Sequence, residues 1–193
     1  APSIPGVTTR VDNGTVAPNS NAYTIGLASD MAGGRGTWRL DYEYRDYADI
    51  YGDFRNTSTG RVTDPTGRVY DLVVVKNTPD AVRTYKGVNA NVSYRAGVVQ
   101  AGGNYTLSWA RGNVAGEDAG SGPIRATIND FPEYRQQSWN TPLGYVLNDQ
   151  RHKMRIWGTW QLPVSEAIGT LDLGVTQRFD SGGPYDYNFS IDT

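Results

Sequence analysis

The sequence contains no cysteine and a single histidine, His152. The first absence excludes a disulfide framework, a thiolate metal centre and a cysteine nucleophile. The second leaves no pair of imidazoles to share a cation, so a histidine-based metal site is not expected either. No run of about 18 apolar residues occurs, which excludes a membrane-spanning helix. Neither sign of charge dominates: a net charge of -2 and a pI near 5.4 give no general attraction to nucleic acid. The opening residues, APSIPGVTTR, have neither the charged nor the apolar region of a secretory leader. A leader is therefore expected to have been removed, or the chain to be a piece of something longer.

What the sequence has instead is alternation. From 84 to 95, Val88, Ala90, Val92 and Tyr94 oppose Asn89, Asn91, Ser93 and Arg95. From 98 to 111, Val99, Ala101, Gly103, Tyr105, Leu107 and Trp109 oppose Gln100, Gly102, Asn104, Thr106 and Ser108. Successive strand side chains point to opposite faces, so the two runs, joined at Gly97, predict a hairpin with one apolar and one polar surface. Strands of soluble domains run to about 5–6 residues. These are longer, near the roughly 9–11 that a tilted strand needs to cross a bilayer.

The same pattern recurs over 22–30, 37–53, 149–162 and 169–180. In 37–53, Trp38, Leu40, Tyr42 and Tyr44 oppose Arg39, Asp41, Glu43 and Arg45. Four charges on one face cannot enter a dry core, so that face is expected to meet water. In 149–162, Met154, Ile156, Gly158, Trp160 and Leu162 oppose Arg151, Lys153, Arg155, Trp157, Thr159 and Gln161. In 169–180, Leu171, Leu173, Val175 and Phe179 oppose Asp172, Gly174, Thr176, Arg178 and Asp180.

Residues 1–19 read as a loop, 54–83 as a long loop with a small hairpin of its own, and 112–148 as a second long loop. Six long strands are thus joined short, long, short, long, short. Outer-membrane barrels have short periplasmic turns and longer outer loops, and only alternate residues of each strand meet lipid. A mean hydropathy of -0.54 is compatible with that architecture. The predicted fold is all-β, an antiparallel up-and-down transmembrane β-barrel. Six strands are too few to close one, since single chains use about eight or more, so they are expected to belong to a larger barrel.

Short tracts carry a family resemblance: Asn104-Tyr105-Thr106-Leu107-Ser108 with Gly112-Asn113; Trp139-Asn140-Thr141-Pro142-Leu143-Gly144-Tyr145; Asp149-Gln150-Arg151-His152-Lys153; and Ser181-Gly182-Gly183-Pro184-Tyr185. In order and over roughly residues 20–190, they resemble the barrel of TonB-dependent outer-membrane receptors, most closely the Oar-like branch that bears a carboxypeptidase-regulatory domain. The resemblance implies a barrel of about 22 strands, with these six in its second half. The family's plug domain, TonB-binding box and aromatic-ended final strand have no counterpart in these residues. A plug and the TonB complex are therefore expected as partners only of a full-length parent.

On this reading Arg39, Asp41, Glu43, Arg45, Asn91, Asn104, Arg155 and Arg178 face the lumen, with Arg95, Lys153, Asp172 and Asp180. Their mixed signs suit pairing with one another or with a plug rather than a ring that selects ions. Trp38, Tyr94 and Trp160 are expected at the periplasmic interface, and Tyr44 and Trp109 at the outer one. His152 has no motif-supplied nucleophile or orienting carboxylate, so no catalytic role is expected. Glu117, Asp118, Asp130 and Glu133 lack the spacing of an EF-hand, and no cofactor is expected. Sequons stand at Asn13, Asn56, Asn91, Asn104 and Asn188. Two of them fall inside predicted strands, which suits composition rather than glycosylation.

Three functions fit: a transport receptor for an unidentified nutrient in the bacterial outer membrane, a structural or adhesive barrel there, and a soluble secreted β-domain that binds a ligand or glycan.

Overall fold

The computed structural model describes residues 8–114, 125–134, 136–165 and 169–185. Its strands are β1 (Thr9–Val11), β2 (Asn19–Asp30), β3 (Gly36–Ala48), β4 (Tyr51–Arg55), β5 (Arg61–Thr63), β6 (Val69–Asp71), β7 (Val73–Asn77), β8 (Arg83–Ala96), β9 (Val99–Gly112), β10 (Arg125–Asp130), β11 (Gly144–Tyr145), β12 (His152–Leu162) and β13 (Leu171–Asp180). One 3-10 turn, Ala32–Gly34, and one four-residue helix, Gln137–Asn140, complete the elements. No described helix is long and apolar enough to cross a membrane. The protein is all-β.

The chain divides into two compact units. One comprises Ala22–Arg45, Tyr85–Ala110 and Leu147–Thr193. Its sheet follows chain order, β2-β3-β8-β9-β12-β13, with consecutive strands hydrogen-bonded. The turn between β8 and β9 has only two residues, Gly97 and Val98, and Gly97 takes a φ of 58°. A two-residue hairpin needs that positive φ at its first central position, which glycine adopts without steric cost. Among the described residues β2 and β13 each have a strand on one side only, so the sheet is open at both edges.

Register fixes the two faces. Met154 pairs with Tyr105 and Phe179, Ile156 with Gly103, and Trp160 with Val99 and Leu173. Arg155 pairs with Asn104 and Arg178, and Thr159 with Gln100 and Gly174. Apolar residues therefore line up across strands on one side and polar ones on the other. The apolar side is uncovered: Ile25 is 71% exposed, Val175 65% and Ile156 48%. Burial of one such side chain stabilises a soluble fold by about 1.5–3 kcal/mol. Leucine, valine and tyrosine neighbours on five of these strands forgo it as well.

The other unit comprises Ala1–Asn21, Asp46–Thr84 and Arg111–Val146, and it has a core. Ile50, Ala81, Val114 and Ile128 are buried together, with Tyr47 packed against them. A four-stranded sheet ordered β1-β7-β4-β10 belongs to it, with β7 and β4 antiparallel and the outer pairs parallel. The β5–β6 hairpin is closed by the Asp64 carboxylate, which accepts the backbone N–H groups of Thr66 at 2.8 Å and Arg68 at 2.9 Å.

Three expectations are corrected here. The strand expected over 37–53 ends at Ala48, because Asp49 turns to a φ of 57° and Ile50, only 2% exposed, enters the core. The segments expected as long loops, 54–83 and 112–148, contain β5–β7, β10 and β11 with parts of β4, β8 and β9, and pack around that core. Within 1–19, Thr9–Val11 is a strand beside Val73–Val75. Parallel partners such as Arg125 and Tyr51 lie far apart in sequence, and no turn between them announces the pairing.

Candidate functional site

The six long strands of this sheet, with opposite chemistry on their two faces, are the candidate site; the two-residue β11 also pairs with the end of β9. On the polar face the charges pair along single strands. Arg39 donates to Asp41 at 2.7 Å, Arg45 to Glu43 at 2.6 Å, and Arg178 to Asp180. Residues two apart on a strand share a face, so each pair is written into the local sequence. Thr106 donates to Asn89 at 2.7 Å, and the Thr37 and Ser93 hydroxyls bond at 3.0 Å. Asn91 and Asn104 stand on the same face by alternation. Arg155 is different: among the described residues its side chain makes no hydrogen bond or ion pair, and its partner across β13 is Arg178.

An aromatic residue, Trp157, also stands on the polar face. Trp157 pairs with Gly102, and a Cβ at Gly102 would lie 2.6 Å from its indole Cζ2 and 2.8 Å from the Val92 carbonyl oxygen. The ring lies where the glycine has no side chain. We expect Gly102→Ala to lower stability by about 1–3 kcal/mol through overpacking, read as a lower denaturation midpoint. Trp157→Ala should relieve part of that loss. Equal losses with and without the indole would show that Trp157 is not the obstacle.

On the apolar face, Trp38, Leu40, Val92, Tyr105, Met154 and Ile156 border an open groove of about 390 Å³ above the small Ala90 and Gly103. Trp38 lies two residues inside the start of β3, Tyr94 two residues before the end of β8, and Trp160 two before the end of β12. These are the strand ends next to the three short connections. Tyr44 and Trp109 stand toward the other strand ends. Tyr44 stacks on Tyr23 with ring centroids 6.5 Å apart, and the Lys86 ammonium is 5.9 Å from its centroid. The Arg151 guanidinium lies 5.2 Å from the Trp109 centroid and bonds to Asp149 at 2.9 Å. Asp149, 5% exposed, also accepts the Ala110 N–H at 2.7 Å.

The histidine is occupied structurally. Its Nδ1 is 2.7 Å from the Tyr105 hydroxyl, the two rings stack, and its backbone N–H donates to Ser181 Oγ at 3.0 Å. Of the acidic residues weighed for calcium, Glu133 accepts the Thr57 N–H at 2.6 Å, and hydrogen bonds from its own amide and that of Thr57 hold its carboxyl below the usual range. Burial pushes Asp130 up instead. Glu117, Asp118 and the Asn188 sequon lie outside the described residues. No group of acids or histidines able to hold a metal occurs among the described residues.

The period-two pattern put Trp157 on the polar face, but its seat on Gly102 and the Arg155–Arg178 opposition depend on register between strands. A pattern read along one strand carries no register. Comparison with family models, curated proteins and solved structures finds no match to this chain.

Proposed function

We propose that this chain is part of the wall of an antiparallel β-barrel in a bacterial outer membrane, within a TonB-dependent receptor that takes up a nutrient. The observation that carries the reading is the exposed apolar face laid back to back with an ion-paired polar face in one long-stranded sheet. A soluble sheet of this size covers its apolar side, because contiguous exposed patches beyond a few hundred Å² mark contact surfaces. Lipid supplies that cover, and the polar side then lines a wet lumen. The open edges support a larger barrel as well, since unpaired strand backbone is costly in hydrocarbon and further strands would pair it. The transport role rests on the family resemblance of the short tracts; the face pattern alone fits a structural or adhesive barrel equally.

Two tests separate these parts. The purified chain should need detergent micelles or lipid to stay dispersed and hold its β signal by circular dichroism. A monomeric, folded protein in plain buffer would remove the membrane reading. For transport, the coding region around this segment should specify a plug and a TonB-binding box. A complete gene without them would leave the structural barrel.

A further inference from the structure

The geometry points to an oxyanion-binding site on the polar face, built from Arg155 and Arg178 with Trp157 as a stacking platform, for a small sugar that bears a carboxylate or a phosphate. Arg155 and Arg178 stand directly opposite each other in the β12–β13 ladder, a placement that brings Cα atoms to about 4.5–5.5 Å. Like charges so placed destabilise a sheet. On the nearest rung of the same face Lys153 stands opposite Asp180, and Asp180 is bonded to Arg178, so that carboxylate offsets Arg178 and leaves Arg155 without an acid among the described residues. Across β9 the neighbours are Asn104 and Thr106, which carry no charge. The two acids of β3 on this face, Asp41 and Glu43, are each bonded to an arginine of their own strand.

Arg155 breaks that local rule without compensation, which is a mark of a functional position. The Arg155 guanidinium, with the terminal nitrogens of Arg178 opposite it, matches an oxyanion, because a planar fork of donors fits carboxylate or phosphate oxygens. The next rung gives the site a second component. Trp157 points to the same side as Arg155, lies over the bare Gly102 and is 38% exposed. A flat aromatic face beside two cations and the Asn104 amide suits a polar ring with a negative substituent. The assignment uses only the polar face, so it does not depend on lipid covering the other side.

The test is a titration of the full chain, in zwitterionic micelles or in buffer if it proves soluble there, followed by calorimetry. The probes are glucuronate, glucose 6-phosphate and glucose. Both anions should bind and glucose should not. Arg155→Gln should weaken both anions at least tenfold while raising the midpoint of thermal unfolding, because the opposition to Arg178 is relieved. Trp157→Leu should weaken the two sugar anions several-fold and leave inorganic phosphate unchanged. Unchanged anion affinity in Arg155→Gln overturns the site, as does glucose binding as tightly as glucuronate. A lowered unfolding midpoint in Arg155→Gln would also overturn it, by showing that the arginine is held for stability. Failure of the detergent test above leaves these outcomes intact, so the two proposals fail separately.

Discussion

Ile156→Arg is expected to weaken folding into lipid vesicles by about 2–4 kcal/mol, the cost of an arginine on the lipid side of a barrel near mid-membrane. Ile156 sits in the middle of β12, paired with Gly103 on one side and Gln177 on the other, and is 48% exposed on the apolar face. Thr159→Arg, on the polar face between Gln100 and Gly174, is expected to cost little, since water can hydrate the new charge. Equilibrium folding into vesicles, measured for both variants in the intact parent barrel, checks the pair. The contrast between them matters more than either value, because both substitutions add the same side chain to the same strand. Equal penalties, or a larger one at Thr159, would sink the assignment of faces. A second pair, Val92→Arg against Ser93→Arg, repeats the comparison on β8.

Ile50→Ala is expected to destabilise the cored unit by about 2–5 kcal/mol. Ile50 is the largest fully buried side chain among the described residues, and its partners Ala81, Val114 and Ile128 come from three separate stretches of chain. Two of them are small or medium, so little can move in to fill the space an alanine would leave. Hydrogen exchange should show the loss first in the amides of β4 and β7, next to which Thr78 donates its N–H to the Ile50 carbonyl at 3.0 Å. Unchanged exchange in those strands would mean that the core does not hold the unit together. Vesicle insertion and core stability are different readouts, so each prediction can fail alone.

The long strands were legible because a period of two needs no partner to be seen. Val99 to Trp109 alternates whatever lies beside it, and the turn at Gly97 announces its own partner strand. The cored unit was not legible. The strands of its four-stranded sheet are three to six residues long, too short to establish a period, and two of that sheet's three pairings are parallel, between segments about sixty residues or more apart. The break at Asp49 was hidden for a related reason. The sequence pattern extends the strand to Asp53, and the burial of Ile50 ends it at Ala48. At the candidate site, Arg39, Asp41, Glu43 and Arg45 could be placed on one face from sequence, and their pairing followed from spacing. Arg155 and Arg178 could each be placed too, but their meeting depends on the β12–β13 register, which the intervening turn sets and the pattern does not.

The ion pairs within single strands bear on how such a wall is built. Each of β3 and β13 carries its arginine and its acid two residues apart, so the charges travel together whenever the strand moves. A hairpin entering hydrocarbon would bring these groups as neutral couples rather than as separate ions waiting for a neighbour. Desolvation falls on a dipole instead of on a bare charge, and the strands become largely independent of the order in which they arrive. Strands β8 and β12 differ, since each carries cations and no acid, and their insertion would be the steps most sensitive to the charges already beside the polar face.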